Sequence, residues 1–242
     1  MIPSSPRRTW IFLLVTSLAF YGPTILAPAA WDKNATYLLL SNLYQVALVV
    51  AGFWYGPAIC RALVVEEVPA GTLRQALDRG LAELHERKGH TQLAALPVVL
   101  VAYPAPFIVT AGLAPAHSEV FLSSALAERL GANGLRFLLA RAMVHGSWPQ
   151  RLAAILPILI FTVMLPDIPS SPLEWLGLAG FLAAWLAVHW FFELRVDRQA
   201  ARSLGSGAEE GLREVLAASA SPVGWLSVQP PLRWRLRMLG GD

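Results

Sequence analysis

The chain has 242 residues, of which 55% are hydrophobic and only 14% are charged, and its mean hydropathy is +0.51. These values exclude an ordinary soluble domain and favour an integral membrane protein. The net charge of +3 needs no nucleic-acid partner, because membrane proteins carry an excess of Lys and Arg in their cytoplasmic segments.

Two apolar runs, about residues 10–31 and 37–65, predict a first transmembrane hairpin, because each can cross a hydrocarbon core of roughly 30 Å. Arg7 and Arg8 precede the first run, as they would in a signal peptide. No small-residue cleavage site follows, so we expect a retained anchor. Cys60 is the single cysteine, which excludes an intramolecular disulfide and favours a packing role.

Residues 66–150 predict a polar α+β region. An amphipathic helix presents Leu73, Leu77, Leu81 and Leu84 on one face. The β-branched stretch 97–112 is interrupted by two prolines and predicts two short strands with a turn or bulge between them. A third strand, Glu119 to Ser123, precedes a short helix and a central helix, for which Asn133 is the expected N-cap. 

A second hairpin is predicted from residues 152–166 and 173–192. The first of these runs is only about 22 Å long as a helix, which is marginal for a full crossing. The fold class is therefore a mainly α membrane protein, with about four transmembrane helices in two hairpins. Residues 66–150 and 193–242 would together form a small soluble part.

The basic residues predict the orientation of these four spans. All Lys and Arg residues except Lys33 fall on one side of the membrane. The positive-inside tendency makes that side the cytoplasm. We therefore expect a multi-pass protein of a bacterial-type inner membrane, with its N-terminus and soluble part cytoplasmic.

The central helix contains the stretch LLARAMVHGSW, from Leu138 to Trp148. In a His-Glu-x-x-His motif, two imidazoles one helical turn apart bind zinc, and the Glu activates the metal-bound water. Arg141, Ala142 and His145 lie at the equivalent positions. The stretch is thus similar to a zinc-peptidase helix that lacks its first ligand and its base.

The order of parts resembles the HtpX-like membrane metallopeptidases, which are relatives of the CAAX prenyl endopeptidases. PAPFIVTAG resembles their strand entry, and EVFLSSALAERLGANGLRFLLARAMVH resembles their strand, helix and motif helix. FFELRVDRQAA resembles their Glu-x-x-x-Asp segment, and SVQPPLRWRLRML resembles their late His-Pro-Pro and Arg segment. The resemblance covers about residues 65 to 240 and implies that the soluble part is a cytoplasmic peptidase-like domain.

The resemblance places Glu193 at the third metal ligand, Asp197 at the family's Asp one turn later, and Gln229 at its late His. It implies no catalytic residue, because the general base is replaced by Ala142, and no bound zinc, because the first His is replaced by Arg141. The degenerate former metal site comprises Arg141, Ala142, His145, Glu193 and Asp197.

The residue type at position 141 suggests what replaces the metal. A buried carboxylate at Glu193 without a cation would be costly, and Arg141 can supply that charge. We therefore predict an Arg141–Glu193 ion pair, with Asp197 as a second candidate partner of Arg141, and a hydrogen-bonded structural His145. The alternative is that Arg141 is simply a surface residue.

Other basic residues give weaker indications. Arg233, Arg235 and Arg237 could bind anionic lipid headgroups or form internal ion pairs, and both interpretations stay open. His189 is expected to pack between helices or at the interface, and His85, His90 and His117 are expected to be solvated or structural.

The function that these features favour is a catalytically inactive metallopeptidase homologue. It would act as an accessory, scaffold or adaptor subunit of an inner-membrane protein complex. Its expected partners are the lipid bilayer and other membrane protein subunits, without nucleic acid. The alternatives are an active membrane zinc endopeptidase with an altered metal site, and a small channel or transporter component.

Overall fold

The computed structural model of the chain describes residues 6–31, 34–63, 67–68, 71–86, 96–164, 171–218 and 229–240. This part of the chain is mainly helical and contains one small sheet. The strands are β1 (Val98–Val101), β2 (Ile108–Ala111) and β3 (Glu119–Ser123). The helices are α1 (Pro6–Leu26), α2 (Ala35–Trp54), α3 (Gly56–Leu63), α4 (Thr72–Glu86), α5 (Ser124–Glu128), α6 (Ala132–His145), α7 (Trp148–Met164), α8 (Pro172–Leu204), α9 (Ala208–Ala218) and α10 (Leu232–Gly240).

Two helices of the described chain, α2 and α8, are long and apolar enough to cross a membrane by length and composition. Shorter apolar stretches lie in α1, over Trp10–Pro23, and in α7, over Trp148–Ile160. The apolar windows of α2 and α8 contain no buried residue, whereas a core helix of a soluble protein would be mostly buried. Such exposed apolar surface is stable in lipid rather than in water.

The helix bounds differ from the predicted runs in two places. The run 37–65 forms two helices, because α2 ends at Trp54 and α3 begins at Gly56, directly before Pro57. Proline lacks an N–H and disfavours helical geometry at the preceding residue. By contrast, α8 continues unbroken for 33 residues from a capping box formed by Ser171 and Glu174. The predicted boundary between 173–192 and 193–242 therefore falls inside one helix.

The sheet has the order β1-β3-β2. β3 pairs parallel with β1 and antiparallel with β2. The two strands predicted from residues 97–112 exist, but they do not pair with each other, since β3 lies between them. Pro104 and Pro106 separate these strands and cannot donate to a hairpin ladder. The central position buries Phe121 and Leu122 completely.

The larger hydrophobic core is built around α6, which contacts α4, α8 and α9. Leu77 and Leu84 of α4 are buried, as the helical spacing of the leucines predicted, and Phe137 of α6 is fully buried. On the opposite side α9 approaches α6 so closely that a Cβ on Gly211 would lie 2.5 Å from the Asn133 carbonyl oxygen. These contacts hold α6 firmly against the elements that carry the site.

The N-cap prediction for α6 was wrong. Gly131 occupies the cap position, and Asn133 lies inside the helix, where its side-chain amide donates to Glu210 at 2.7 Å. The free N–H groups of Gly131 and Gly134 instead donate to the Glu214 carboxylate from α9. A carboxylate from another helix thus replaces the local cap and interacts favourably with the positive end of α6.

Candidate functional site

The predicted site residues lie where α6 crosses α8. Arg141 comes from α6, whereas Glu193 and Asp197 lie one turn apart on the same face of α8. All three are buried, with exposed fractions of 9%, 8% and 0%. The crossing therefore brings one cation and two carboxylates together in the interior.

Arg141 bridges the two carboxylates. Its Nη2 donates to Glu193 Oε2, and its Nε donates to Asp197 Oδ1 at 2.9 Å. The Arg141 guanidinium thus lies between the two acidic side chains and faces away from solvent. Charge-assisted hydrogen bonds of this kind offset part of the desolvation of buried charges.

A second arginine, from α10, reaches Asp197. Arg235 donates from Nε and Nη2 to the two oxygens of Asp197, at 2.6 and 2.9 Å, and from Nη1 to Gln229 Oε1 at 3.2 Å. Two arginines therefore balance two carboxylates in a continuous buried chain. The network fastens α10 to α8.

The burial of Arg235 corrects one predicted interpretation. Its side chain is only 1% exposed, so it cannot contact lipid headgroups, and its charge is used inside the fold. Arg233 and Arg237 are exposed on the other face of α10. The neighbouring Trp234 packs edge-to-face against Trp190 of α8, with ring centroids 5.7 Å apart.

His145 lies one turn after Arg141 and points to the other side of Glu193. Its Nε2 is 3.5 Å from Glu193 Oε1. Burial lowers the pKa of His145 well below its usual value of 6.5, and the positive charge of Arg141 lowers it further. The imidazole is therefore neutral at neutral pH, and Arg141 is the cation that compensates Glu193.

These residues do not fit a zinc ion. A structural or catalytic zinc takes at least three side-chain ligands, and the described residues contain no group of three His, Cys, Asp or Glu side chains suited to a metal. Arg141 has no acceptor atom and cannot be a ligand, while both oxygens of Asp197 accept from arginines. Ala142, at the position of the general base, has no group that could transfer a proton.

A pocket of about 240 Å³ opens beside this network, between α6, β2 and the first turns of α7. Its polar wall includes Arg141, His145 and two residues that the sequence analysis did not select, Gln150 and Arg151. Arg151 also donates from Nη1 to the Thr110 carbonyl oxygen of β2, at 3.0 Å. Its position next to an apolar run is equally typical of an interfacial arginine, so the sequence contained no distinguishing signal.

The remaining predicted histidines lie outside the network. His189 stacks on Trp185 within α8, with centroids 5.9 Å apart, and His117 packs against Trp54 at 5.2 Å. Both contacts are between rings, as expected for structural residues. The side chain of His85 and the whole of His90 lie outside the described residues.

No protein-family model matches the sequence, and no curated protein matches it. Among solved structures, the chain is similar to the crystal structure of S. mikatae Ste24p, with a TM-score of 0.56 at 15% sequence identity. The match covers 97% of this chain and 66% of the Ste24p chain. Ste24p is a CAAX prenyl protease, a membrane metallopeptidase.

The likeness to Ste24p concerns the fold, since the identity is low. It shows that the chain shares the fold of this protein. The exposed apolar helices are consistent with membrane association. The chain therefore has an architecture similar to that of Ste24p, and at its α6–α8 crossing the described residues form no set of three metal ligands.

Proposed function

We propose that this protein is a catalytically inactive relative of the membrane metallopeptidases that acts by binding. The observation that carries the proposal is the position of Arg141, whose guanidinium contacts both Glu193 and Asp197. A cation of the protein itself thus occupies the space beside the carboxylate that would hold a metal in an HtpX-like enzyme.

The chemistry of the remaining groups supports the loss of catalysis. Metallopeptidases depend on a metal-bound water as nucleophile and on a carboxylate that accepts its proton. Here the lowered pKa keeps His145 neutral, but Glu193 is the one carboxylate found beside it among the described residues, and Ala142 offers no base. A general base alone contributes on the order of 10²- to 10⁴-fold, so the combined loss removes most of the rate.

The surfaces that remain are suited to association. Large aromatic and aliphatic side chains are exposed along the apolar helices, including Trp175, Leu176 and Phe191 of α8. Such side chains fit lipid or the transmembrane helices of other subunits. The proposed role is an accessory, scaffold or adaptor subunit of an inner-membrane complex.

The proposed placement has four spans, provided by α1, α2, α7 and α8. The N-terminus and the peptidase-like part would then lie in the cytoplasm, where the positive-inside tendency places basic residues. Labelling of single introduced cysteines by a membrane-impermeant reagent tests this placement. Residue 33 should react from outside and residue 213 only after permeabilisation, and the reverse pattern would refute the orientation.

Metal analysis of the purified full-length protein tests the inactive state. We expect far less than one zinc per chain after loading with excess Zn²⁺ and desalting, with the same low value for H145A. One zinc per chain that is lost in H145A would instead establish an altered but functional metal site. A peptidase assay of the same samples should then show activity above a control membrane preparation.

The binding role is tested by the size of the native particle. The protein is extracted at cellular expression level in a mild detergent or directly into lipid nanodiscs, and the particle mass is measured. We expect a mass well above one chain of 26.3 kDa plus its lipid, with a defined second subunit. A particle that contains only one chain in both preparations would refute the accessory-subunit role.

A further inference from the structure

The helix α10 is attached to α8 at the point where the apolar part of α8 ends. Residues 175–192 of α8 contain no Asp, Glu, Lys or Arg, and charged residues follow directly. Trp234 of α10 packs edge-to-face on Trp190, within this apolar run. The next residue of α10, Arg235, binds Asp197 beyond the run. Trp190 and Asp197 are separated by about 10.5 Å along the helix axis, so α10 lies across the boundary between the apolar and the charged part of α8.

The helix α10 has one buried face and one exposed face. Arg235, Leu236 and Leu239 lie on the buried face, where the two leucines pack against the larger hydrophobic core. The exposed face has two neighbouring stripes, each made of two residues four positions apart and therefore one turn apart on the same side. These stripes consist of Arg233 with Arg237 and of Trp234 with Met238. Positive charge thus lies beside exposed apolar surface.

The two exposed arginines carry a charge that the described part of the chain does not balance. Neither Arg233 nor Arg237 has an ion pair among the described residues, and α10 contains no acidic residue. The carboxylates of the neighbouring helix α9 already accept hydrogen bonds from Arg213, from Asn133 and from the N-terminus of α6. Both guanidinium groups are therefore available to an anion from outside the protein.

The apolar stripe indicates what kind of anion this is. Trp234 and Met238 are 46% and 37% exposed, next to the arginines and at the end of an apolar run. Tryptophan is enriched at membrane interfaces, and basic residues near the membrane surface attract anionic headgroups. A helix with both kinds of side chain on its exposed side suits a position in the plane of the interface. A soluble acidic ligand would account for the arginines but not for the apolar stripe beside them.

We propose that the exposed face of α10 binds anionic lipids of the bilayer. Arg233 and Arg237 would contact the headgroup phosphates, and Trp234 and Met238 would lie at the level where the acyl chains begin. Arg235, through its bonds to Asp197, holds this face at the end of the α8 span. The lipid contact rests on the membrane placement of α8 proposed above and is independent of the subunit role.

The test measures which lipids lie next to α10 in the full-length protein. A C60A background carries M238C labelled with an NBD fluorophore, in nanodiscs of phosphatidylcholine and phosphatidylglycerol in which one lipid or the other bears a quenching doxyl group. The two quenching curves give the relative affinity of the lipids for the labelled site. We expect phosphatidylglycerol to be favoured at least about fivefold, since one basic residue at the surface already contributes about this factor. The same label at L182C, exposed in the middle of the α8 apolar run, should show no preference.

Variants connect the preference to the two arginines. R233Q/R237Q should abolish it, whereas R233K/R237K should keep most of it, because the attraction to headgroups depends mainly on charge. R79Q/R129Q is the matched control, since it removes two charges from other exposed arginines, on α4 and at the end of α5. This control should keep the full preference.

Equal quenching by both lipids at position 238 would overturn the proposal, and so would an unchanged preference in R233Q/R237Q. Absence of quenching by either lipid at position 238, with normal quenching at position 182, would also overturn it and would assign the face to an acidic protein partner. Absence of quenching at both positions would refute the membrane placement of α8 itself. If R233Q/R237Q does not fold, the lipid comparison on the wild type and on R237Q alone decides.

Discussion

Replacing Arg141 with methionine (R141M) removes the cation between Glu193 and Asp197 while keeping an unbranched side chain of similar length. Asp197 would still accept two N–H groups from Arg235. Among the described residues, Glu193 would keep only the neutral imidazole of His145, whose Nε2 is 3.5 Å from Glu193 Oε1. R141M therefore leaves one buried carboxylate without a compensating charge.

The expected loss in the free energy of unfolding follows from the burial of the Glu193 carboxylate. The Glu193 side chain is 10% exposed, so water screens it little. Removing one partner of a buried ion pair costs about 3–5 kcal/mol in the free energy of unfolding. R213M is the control, because it breaks an i,i+4 pair whose side chains are 57% and 62% exposed, and such pairs contribute about 0.3–0.5 kcal/mol.

The assay is reversible denaturant unfolding in one detergent, followed by tryptophan fluorescence, for R141M, E193Q, the double variant R141M/E193Q and R213M. We expect R141M/E193Q to be more stable than R141M, because a neutral amide at position 193 needs no cation. The reasoning would be refuted if R141M lost no more stability than R213M. It would equally be refuted if E193Q gave no recovery in the R141M background.

Three further predictions concern neighbouring residues. The fold lowers the pKa of His145, so the folded state favours the neutral imidazole. The contribution of neutral His145 to the free energy of unfolding is therefore complete above about pH 6.5 and decreases as the pH falls below that value. The stability difference between the wild type and H145Q should change by up to about 1.4 kcal/mol per pH unit there, and parallel pH profiles would contradict this. R141H creates a second imidazole one turn from His145 and near Glu193, so it should bind about one Zn²⁺ by calorimetry and lose it in R141H/H145A. Failure of R141H to bind zinc would mean that the α6 and α8 crossing is not metallopeptidase-like. G211A should cost about 1–3 kcal/mol, because its Cβ would lie 2.8 Å from Phe137 Cβ, whereas G177A meets no atom within 4 Å and should be near neutral. Equal unfolding midpoints for the two alanine variants would contradict close α6–α9 packing.

Local sequence patterns predicted many of the helices and strands. The leucine spacing of α4, the β-branched stretches of β1 and β2, and the apolar runs of α2 and α8 all reflect interactions between near neighbours in sequence. The strand order could not be read in this way, because β3 enters between β1 and β2 from a later part of the chain. The capping of α6 also depended on a residue far away in the sequence, since Glu214 of α9 replaced the expected local cap.

For the candidate site too, local patterns predicted some features and tertiary packing decided the others. Helical periodicity alone places Arg141 with His145, and Glu193 with Asp197, on common faces. The pairing of α6 with α8, and the burial of Arg235 against Asp197 rather than at a lipid surface, come from packing between helices far apart in sequence. Arg151 shows the limit most clearly, since an arginine beside an apolar run has the same sequence pattern whether it is interfacial or buried.

By itself, the amino-acid sequence determined the apolar character of the long helices and the helical spacing of the site residues. It also determined that Arg141 and Ala142 stand where the motif that this stretch resembles has a histidine and a glutamate. The tertiary structure alone decided which charges meet, that Arg141 lies between two carboxylates, and that Arg151 is buried with no carboxylate against it among the described residues. The reason is physical: hydropathy and helical period act over a few residues, whereas the cost of a buried charge is set by the groups that folding brings within about 3 Å of it.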